Sequence, residues 1–216
     1  MLVAHHIAAE VPSQDLVACR DAVKRRPKSG SARLDLARAS LAADDPAEAV
    51  EQCAKALELK PGLRDAAWLL ASLLQRYEIN ENIDVSTRGL RAALQFDDVD
   101  KQALCTAAIA TLKHASPLSD AVAVGRAEGW PEAARTVLSG KGRKLLQDRL
   151  FRAALTSGIN TDVEVEFLLT ALRQALLEAP ERMQDRPVYE FACVLIQQCA
   201  NNSYVFHATE TEKDRL

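Results

Sequence analysis

The 216-residue chain is poor in glycine, proline and aromatic residues, with eight glycines, eight prolines and 5 % aromatics. It also lacks any convincing run of alternating β-branched residues, the pattern typical of a half-buried strand. Alanine and leucine dominate instead, and both favour helix because they lose little entropy in a helical backbone. We therefore predict an all-α fold. Its 48 % hydrophobic and 26 % charged residues are typical of a folded globular chain.

An excess of basic residues is missing too, because the formal net charge is −3. Nucleic-acid binding is therefore not expected. As the nearest approach to a basic patch we take Lys141, Arg143 and Lys144, which we interpret as a solvated turn or as a contact for a phosphate or acidic partner. No segment approaches the roughly 18 apolar residues that cross a bilayer. The chain start, interrupted by His5 and His6, is not typical of a signal peptide.

The cysteines form no recognisable pair. There are five of them, widely separated and without a CxxC motif, so neither a disulfide framework nor a zinc site is predicted. The four histidines do not combine with other ligands at a metal-binding spacing either. We expect reduced thiols in a cytoplasmic protein, with no metal, no cofactor and no membrane partner.

A spacing near 34 residues organises the first part of the chain. Ala22, Ala56, Ala93 and Ala127 follow one another at intervals of 34, 37 and 34 residues. A proline stands five residues after each of the first two. This period is typical of helix–turn–helix repeats, whose stacked units build a surface rather than an enclosed active site.

The unit Gly30–Leu63 shows the pattern most clearly. We predict a first helix over about 32–43, a turn at Asp44-Asp45-Pro46 and a second helix over about 47–59. Pro61 closes the unit, since a proline just beyond a helix end cannot continue the hydrogen-bond ladder. Small residues stand where the two helices must approach closely.

This unit resembles the tetratricopeptide repeat. The matching residues are Leu36, Ala37, Ala49, Cys53, Ala56 and Pro61. The unit departs from the repeat at Arg33, which replaces an aromatic residue, and at Ser40, which replaces a large one. The resemblance implies an α-solenoid of antiparallel helix pairs that binds a protein or peptide.

Two further units are predicted from the same pattern. One begins near Ala67 and takes a three-residue insertion within Glu78–Asn82, and one begins at Lys101, with Val124 and Ala127 on its second helix. An orphan helix precedes the first full unit. We thus predict a repeat array over 11–134, with one orphan helix and three helix pairs.

In such arrays the first helices line a concave groove. The predicted groove residues are Leu34, Arg38, Leu41, Trp68, Ser72, Gln75, Cys105, Ile109 and Leu112. Trp68 has two interpretations, packing against a neighbouring helix or anchoring a bound segment. Acidic residues surround the second predicted repeat, and they indicate a solvated face or a docking site for a basic peptide. They are Glu78, Glu81, Asp84, Asp97, Asp98 and Asp100.

Beyond the array we predict a linker at 135–142, a helical extension over 143–206 and a polar tail at 207–216. The extension is predicted to contain helices over about 143–156, from the 160s to Pro180, and over about 187–199. Gly158 is expected as a left-handed cap of the first, and Asn160 or Thr161 as the N-cap of the second.

A second resemblance covers this extension. Its phrases are Asp148–Leu155, Leu168–Arg173, Phe191–Cys193, Gln197–Cys199 and Asn202–Phe206. They are similar to the segment between the repeats and the catalytic domain in bacterial tetratricopeptide-containing class I SAM-dependent methyltransferases. The resemblance implies that the chain recruits partners for a methyltransferase system.

The chain itself shows no glycine-rich strand–turn–helix able to hold SAM. We therefore expect a non-catalytic scaffold that binds a protein or peptide, and a methyltransferase catalytic domain is one such partner. Two alternatives stay open: the chain is the N-terminal part of a methyltransferase whose catalytic domain is absent from it, or a structural repeat protein that associates with itself.

Overall fold

The computed structural model describes residues 16–77, 83–140 and 142–202. Within these residues the regular secondary structure is helical and no strand is formed, which confirms the all-α prediction. The α-helices of the described residues are α1 Leu16–Arg25, α2 Gly30–Ala42, α3 Pro46–Leu59, α4 Arg64–Arg76, α5 Ile83–Ala93, α6 Lys101–Leu112, α7 Leu118–Glu128, α8 Trp130–Leu138, α9 Arg143–Gln147, α10 Arg149–Ser157, α11 Val163–Glu178 and α12 Arg186–Asn201. A 3-10 helix, Pro180–Gln184, precedes α12. The chain divides into two compact units between Val99 and Asp100.

The first unit consists of neighbouring helices packed in chain order. α1 packs against α2, α2 against α3, and α3 against both α4 and α5. Ala37 on α2 and Ala49 and Ala56 on α3 have no exposed surface, so the small residues do lie where these helices meet. The predicted helix bounds of this pair are confirmed to within two residues. The predicted insertion at 78–82 and residues 11–15 of the orphan helix lie outside the described residues.

Local capping fixes the start of each helix in the first pair. Ser29 accepts a hydrogen bond from the Ala32 N–H at the start of α2, and Asp45 accepts one from the Glu48 N–H at the start of α3. Pro46 occupies the first turn of α3, where its missing N–H costs nothing. The chain reverses through Asp44, which has a left-handed φ of 60°, and aspartate tolerates that region better than most residues.

A glycine sets the contact between α3 and α5. A Cβ added to Gly89 would lie 2.6 Å from the Cβ and 2.7 Å from the Cα of Ala54. Because one of these atoms is backbone, a larger residue could fit only if a helix moved. Gly89 therefore permits the close approach of the two helices.

In the second unit, α6 and α7 do not form the predicted third helix pair. α6 packs against α10, whereas α7 packs against α8 and α11. The buried face of α7 carries Leu118, Ala121, Val122 and Gly125, and Ala127 is exposed. The alanine spacing therefore ends before α7.

Trp130 explains the changed register of α7. A Cβ on Gly125 would lie 2.3 Å from the Trp130 ring, so the ring is placed directly over this glycine. The buried face of α7 is therefore the one that carries Gly125, and Trp130 of α8 packs against it. α8 also extends to Leu138, so the predicted linker 135–142 is helical over its first four residues.

The predicted helix over 143–156 is two helices, α9 and α10. Asp148 separates them, because its side chain accepts a hydrogen bond from the Phe151 N–H and so starts a new helix. The Phe151 ring stacks on Phe191 of α12 with a centroid separation of 6.0 Å, which places both rings in the core.

The start of α11 also differs from the prediction. Asp162 is the N-cap and accepts from the N–H groups of Glu164 and Val165, in place of Asn160 or Thr161. Gly158 has an extended backbone with φ −156°, so it is not a left-handed cap. The inward side of α11 carries half-buried Leu177 and the buried residues Val165, Leu168, Leu169, Leu172 and Leu176. The predicted last helix is confirmed as α12. No helix within the described ranges has the length and apolar character needed to cross a membrane.

Candidate protein-interaction surface

Ser40 joins three helices of the first unit through a carboxylate. Its buried hydroxyl donates to Glu48 Oε2 at 3.0 Å, and Arg20 Nη2 lies 2.6 Å from the same oxygen. The side chains come from α2, α3 and α1 respectively. One residue that departs from the tetratricopeptide pattern thus completes a polar link across the helices.

Arg33, the other residue that departs from the repeat pattern, forms a second polar link between elements at the opposite end of α2. Its Nη1 donates to Gln52 Oε1 on α3 at 2.9 Å, and its Nη2 donates to the Pro27 carbonyl at 3.1 Å. An aromatic side chain has at most one such donor and could not make both bonds. Arg33 therefore holds the turn between α1 and α2 against the following helix.

Three of the predicted groove residues of the first unit, Arg38, Leu41 and Trp68, lie on a surface shared by α2 and α4. Arg38 Nη2 lies 3.3 Å from Asp65 Oδ2, which joins the two helices at their outer surface. Trp68 lies one turn after Asp65 on α4 and is 36 % exposed, while Leu41 lies one turn after Arg38 on α2. We call this surface, Arg38, Leu41, Asp65 and Trp68, the α2/α4 face.

The remaining predicted groove residues are distributed differently. Ser72 is half-buried and Gln75 exposed on α4, but Leu34 is buried at 4 % exposure. Cys105, Ile109 and Leu112 of α6 are all buried. They belong to the second unit, where α6 packs against α10.

A cleft of about 230 Å³ lies in the second unit beside α6. Its lining includes the predicted groove residues Cys105 and Ile109, and across from them Ile159 and the segment Asn160–Asp162. The cleft is therefore formed by α6 and the loop between α10 and α11.

Three amide side chains hold that loop in place. Gln102 exchanges two hydrogen bonds of 2.8 Å with the backbone of Ile159. Asn201 donates to the carbonyls of Leu155, Thr156 and Gly158. Gln198, in the orientation its partners require, accepts from the Asn160 N–H at 3.0 Å. Sequence reasoning missed these bonds because the partners lie between 38 and 57 positions apart.

Four charged side chains form a network beside the cleft. Lys113 Nζ lies 2.7 Å from both Asp162 and Glu164, and Arg126 Nη2 donates to Glu164 at 2.7 Å. The hydrogen bonds from Arg126 and Lys113 lower the pKa of Glu164 to about 2. Partial burial lowers the pKa of Lys113, but its bonds to Asp162 and Glu164 outweigh that effect, and the pKa is raised. Both shifts favour the charged forms of Glu164 and Lys113 at neutral pH.

The buried thiols of Cys53 and Cys105 are not poised for nucleophilic chemistry. Burial raises the pKa of Cys105 to about 11 and raises the pKa of Cys53 further. Both thiols are therefore protonated at neutral pH, and the thiolate is the reactive form. Within the described ranges, His, Cys, Asp and Glu also form no group of three or more that could hold a metal ion.

A basic turn between α1 and α2 was missed by the sequence analysis. Lys24, Arg25, Arg26 and Lys28 are all exposed. These four cations lie within five consecutive residues, so the density of positive charge is higher than in the stretch around Gly142. This density is visible in the sequence alone. We call Lys24–Lys28 the basic turn.

Several predicted features cannot be placed. His5, His6, His207, Glu78, Glu81 and Lys141 lie outside the described residues, as does the tail 207–216. Of the acidic neighbourhood, Asp98 pairs with Arg64 at 3.1 Å, and Asp100 caps α6 by accepting from the Ala103 N–H.

Comparison of the chain with protein-family models, with curated proteins and with solved structures found no match.

Proposed function

We propose that the chain is a non-catalytic scaffold that binds a segment of another protein through the α2/α4 face. One observation carries the proposal: Trp68 is more than one-third exposed beside the Arg38–Asp65 pair. An exposed indole costs little side-chain entropy to order, and Trp and Arg are the residues most often found at the energetic centre of interfaces. The packing of α2 to α5 in chain order supports a tetratricopeptide-type arrangement for this unit.

A peptide selection tests the assignment. Peptides selected from a random 12-residue library against the full chain are titrated into ¹⁵N-labelled protein, whose two tryptophans give two indole N–H resonances. We expect the Trp68 resonance, identified with Trp68→Phe, to shift. We expect Trp68→Ala to weaken binding by about tenfold or more.

Tyr189→Ala is the matched control, because Tyr189 is an exposed aromatic residue on α12. Its loss should change affinity less than twofold. An unfolding midpoint of the Trp68→Ala chain equal to the wild-type value would show that Trp68 is not a packing residue. A Trp68→Ala chain that unfolds, or that binds the selected peptides normally, contradicts the proposal.

The similarity of 148–206 to methyltransferase segments extends the proposal to a partner. Under this extended proposal the chain is a cytoplasmic scaffold that recruits targets for a SAM-dependent methyltransferase system. It binds no SAM itself. Calorimetric titration of the full chain with SAM should give no binding heat. Micromolar affinity for SAM would show instead that the chain is part of the enzyme.

A further inference from the structure

Beyond the α2/α4 face, we propose that the basic turn is a second interaction surface, which binds an acidic segment of a partner polypeptide. Its residues, Lys24 to Lys28, end α1 and lead into α2. The surface does not depend on Trp68, so this assignment and the peptide-binding proposal can fail separately.

Among the described residues, carboxylates neutralise only a small part of the positive charge of the basic turn. Lys24 pairs with Asp21 at 3.2 Å, but Arg25, Arg26 and Lys28 have no carboxylate partner within the ranges that the structure describes. In contrast, neighbouring Arg20 is paired with Glu48. Three exposed cations in four consecutive residues, none paired with a carboxylate of the described ranges, produce a local positive potential on a chain whose net charge is −3.

The backbone of the basic turn is held by hydrogen bonds. The Arg26 N–H donates to the Ala22 carbonyl, and the Ser29 N–H donates to the Arg26 carbonyl. Arg33 holds the Pro27 carbonyl at 3.1 Å. The cations are therefore presented from a fixed backbone, which reduces the ordering cost of binding.

The size of the basic turn matches a short acidic segment better than a nucleic acid. Five consecutive residues span at most about 14 Å, and an extended peptide places side chains on one side every ~7 Å. Two or three alternating carboxylates would cover that length. A protein that holds a duplex through about 6–10 phosphate contacts uses more cations than the four that the basic turn supplies.

The packing of α1 argues against a membrane as the partner. Buried Cys19 packs with Leu36 and Ala39 of α2, and Leu16 and Val23 pack against the same cluster. The apolar side of α1 is therefore occupied within the protein. A helix that lies in a membrane interface needs that side free.

The test compares two triple variants of equal charge. The basic-turn variant is Arg25→Gln/Arg26→Gln/Lys28→Gln, and the control is Lys60→Gln/Arg149→Gln/Arg182→Gln, whose positions are also exposed. The probe is a fluorescein-labelled octaglutamate peptide, followed by anisotropy at 50 mM and 500 mM salt. We expect wild-type binding to weaken at least tenfold across this range. The basic-turn variant should weaken binding at 50 mM salt at least fivefold, while the control and Trp68→Ala each stay within twofold.

Other results would overturn the assignment. Absence of octaglutamate binding to the wild-type chain at 50 mM salt, or an equal loss in both triple variants, would show that the turn is not the site. Tighter binding of a 20-base-pair duplex or of phosphatidylglycerol vesicles than of octaglutamate would assign the surface to a different partner. Equal unfolding midpoints of the two triple variants confirm that their comparison reports binding.

Discussion

Ser40 and Glu48 are joined by a 3.0 Å hydrogen bond in which the Ser40 hydroxyl donates to the carboxylate inside the first unit. Ser40 has no exposed surface, so its hydroxyl has no contact with water that could take the place of this bond. Glu48 in turn holds Arg20 of α1. A buried hydroxyl thereby fixes the carboxylate through which α1 is tied to the helices that follow it.

Ser40→Ala should lower the free energy of unfolding by about 1.5 kcal/mol, the usual loss for a hydrogen bond to a charged group. Urea denaturation of the full chain measures it. Ser72→Ala is the control, because Ser72 is half-buried on α4 and makes no hydrogen bond within the described part of the chain. Its effect should stay within about 0.5 kcal/mol. Equal effects of the two substitutions would show that the Ser40 bond contributes nothing.

Three alanines and two polar residues show what the sequence could and could not predict about the first unit. The small residues Ala37, Ala49 and Ala56 were predicted to lie between helices, because residue size and helical period are local properties. The roles of Arg33 and Ser40 were not, since each depends on a partner 19 or 8 positions away that only folding identifies. Residues that departed from the repeat pattern therefore became the polar contacts of this unit.

The second unit was predicted less well for a related reason. The alanine spacing placed Ala127 with the buried alanines, but Trp130 selects the face of α7 that carries Gly125. A spacing rule contains no information about which side chain will cover a glycine. The basic turn is the opposite case, because its four cations lie within five consecutive residues and could have been recognised from the sequence.

Gly89→Ala should destabilise the first unit by about 1–3 kcal/mol, because the added methyl would meet the Ala54 backbone at 2.7 Å. The favourable helix propensity of alanine, about 1 kcal/mol, offsets only part of this cost. Gly62→Ala is the control, since nothing lies within 4 Å of its added Cβ. Thermal unfolding should show a lower midpoint for Gly89→Ala alone. A raised midpoint would mean that α3 and α5 do not approach as closely as described.

The charge network predicts acid sensitivity of the second unit. The pKa of Glu164 is lowered from 4.5 to about 2, so folding favours the ionised carboxyl. Its contribution is complete above about pH 5 and is lost as pH falls towards 2. We expect about 1 kcal/mol, because the side chain is 26 % exposed and water screens its partners.

Glu164→Gln should remove this contribution at pH 7 and flatten the pH dependence of stability between pH 5 and 2. The fluorescence of Trp130 reports on the unit in a Trp68→Phe background, since Trp130 lies 5.7 Å from Phe167 of α11. Glu178→Gln, an exposed residue at the other end of α11, is the control. A pH dependence that survives in Glu164→Gln and disappears in Glu178→Gln would contradict the assignment.

Gln102→Ala should release the loop beside the cleft, because it removes both hydrogen bonds to Ile159. Gln102→Glu keeps an acceptor for the Ile159 N–H but cannot donate to its carbonyl at neutral pH. We expect Gln102→Ala to lower protection of the Ile159 amide from hydrogen exchange by about tenfold, and Gln102→Glu to lower it less. Unchanged protection in Gln102→Ala would show that the loop is held without this side chain.

Thiol labelling distinguishes opening of the first unit from opening of the second. Cys193 is exposed, while Cys53 and Cys105 are buried in different units. An aromatic disulfide reagent at pH 7.5 should therefore modify Cys193 first, and Cys193→Ser should abolish that fast phase. Cys53 and Cys105 should react more than about a hundredfold more slowly, because each must first be exposed by opening of its unit. The Gly89→Ala substitution should accelerate labelling of Cys53 and leave the rate at Cys105 unchanged. Acceleration of both by the same factor would show that the two units open as one.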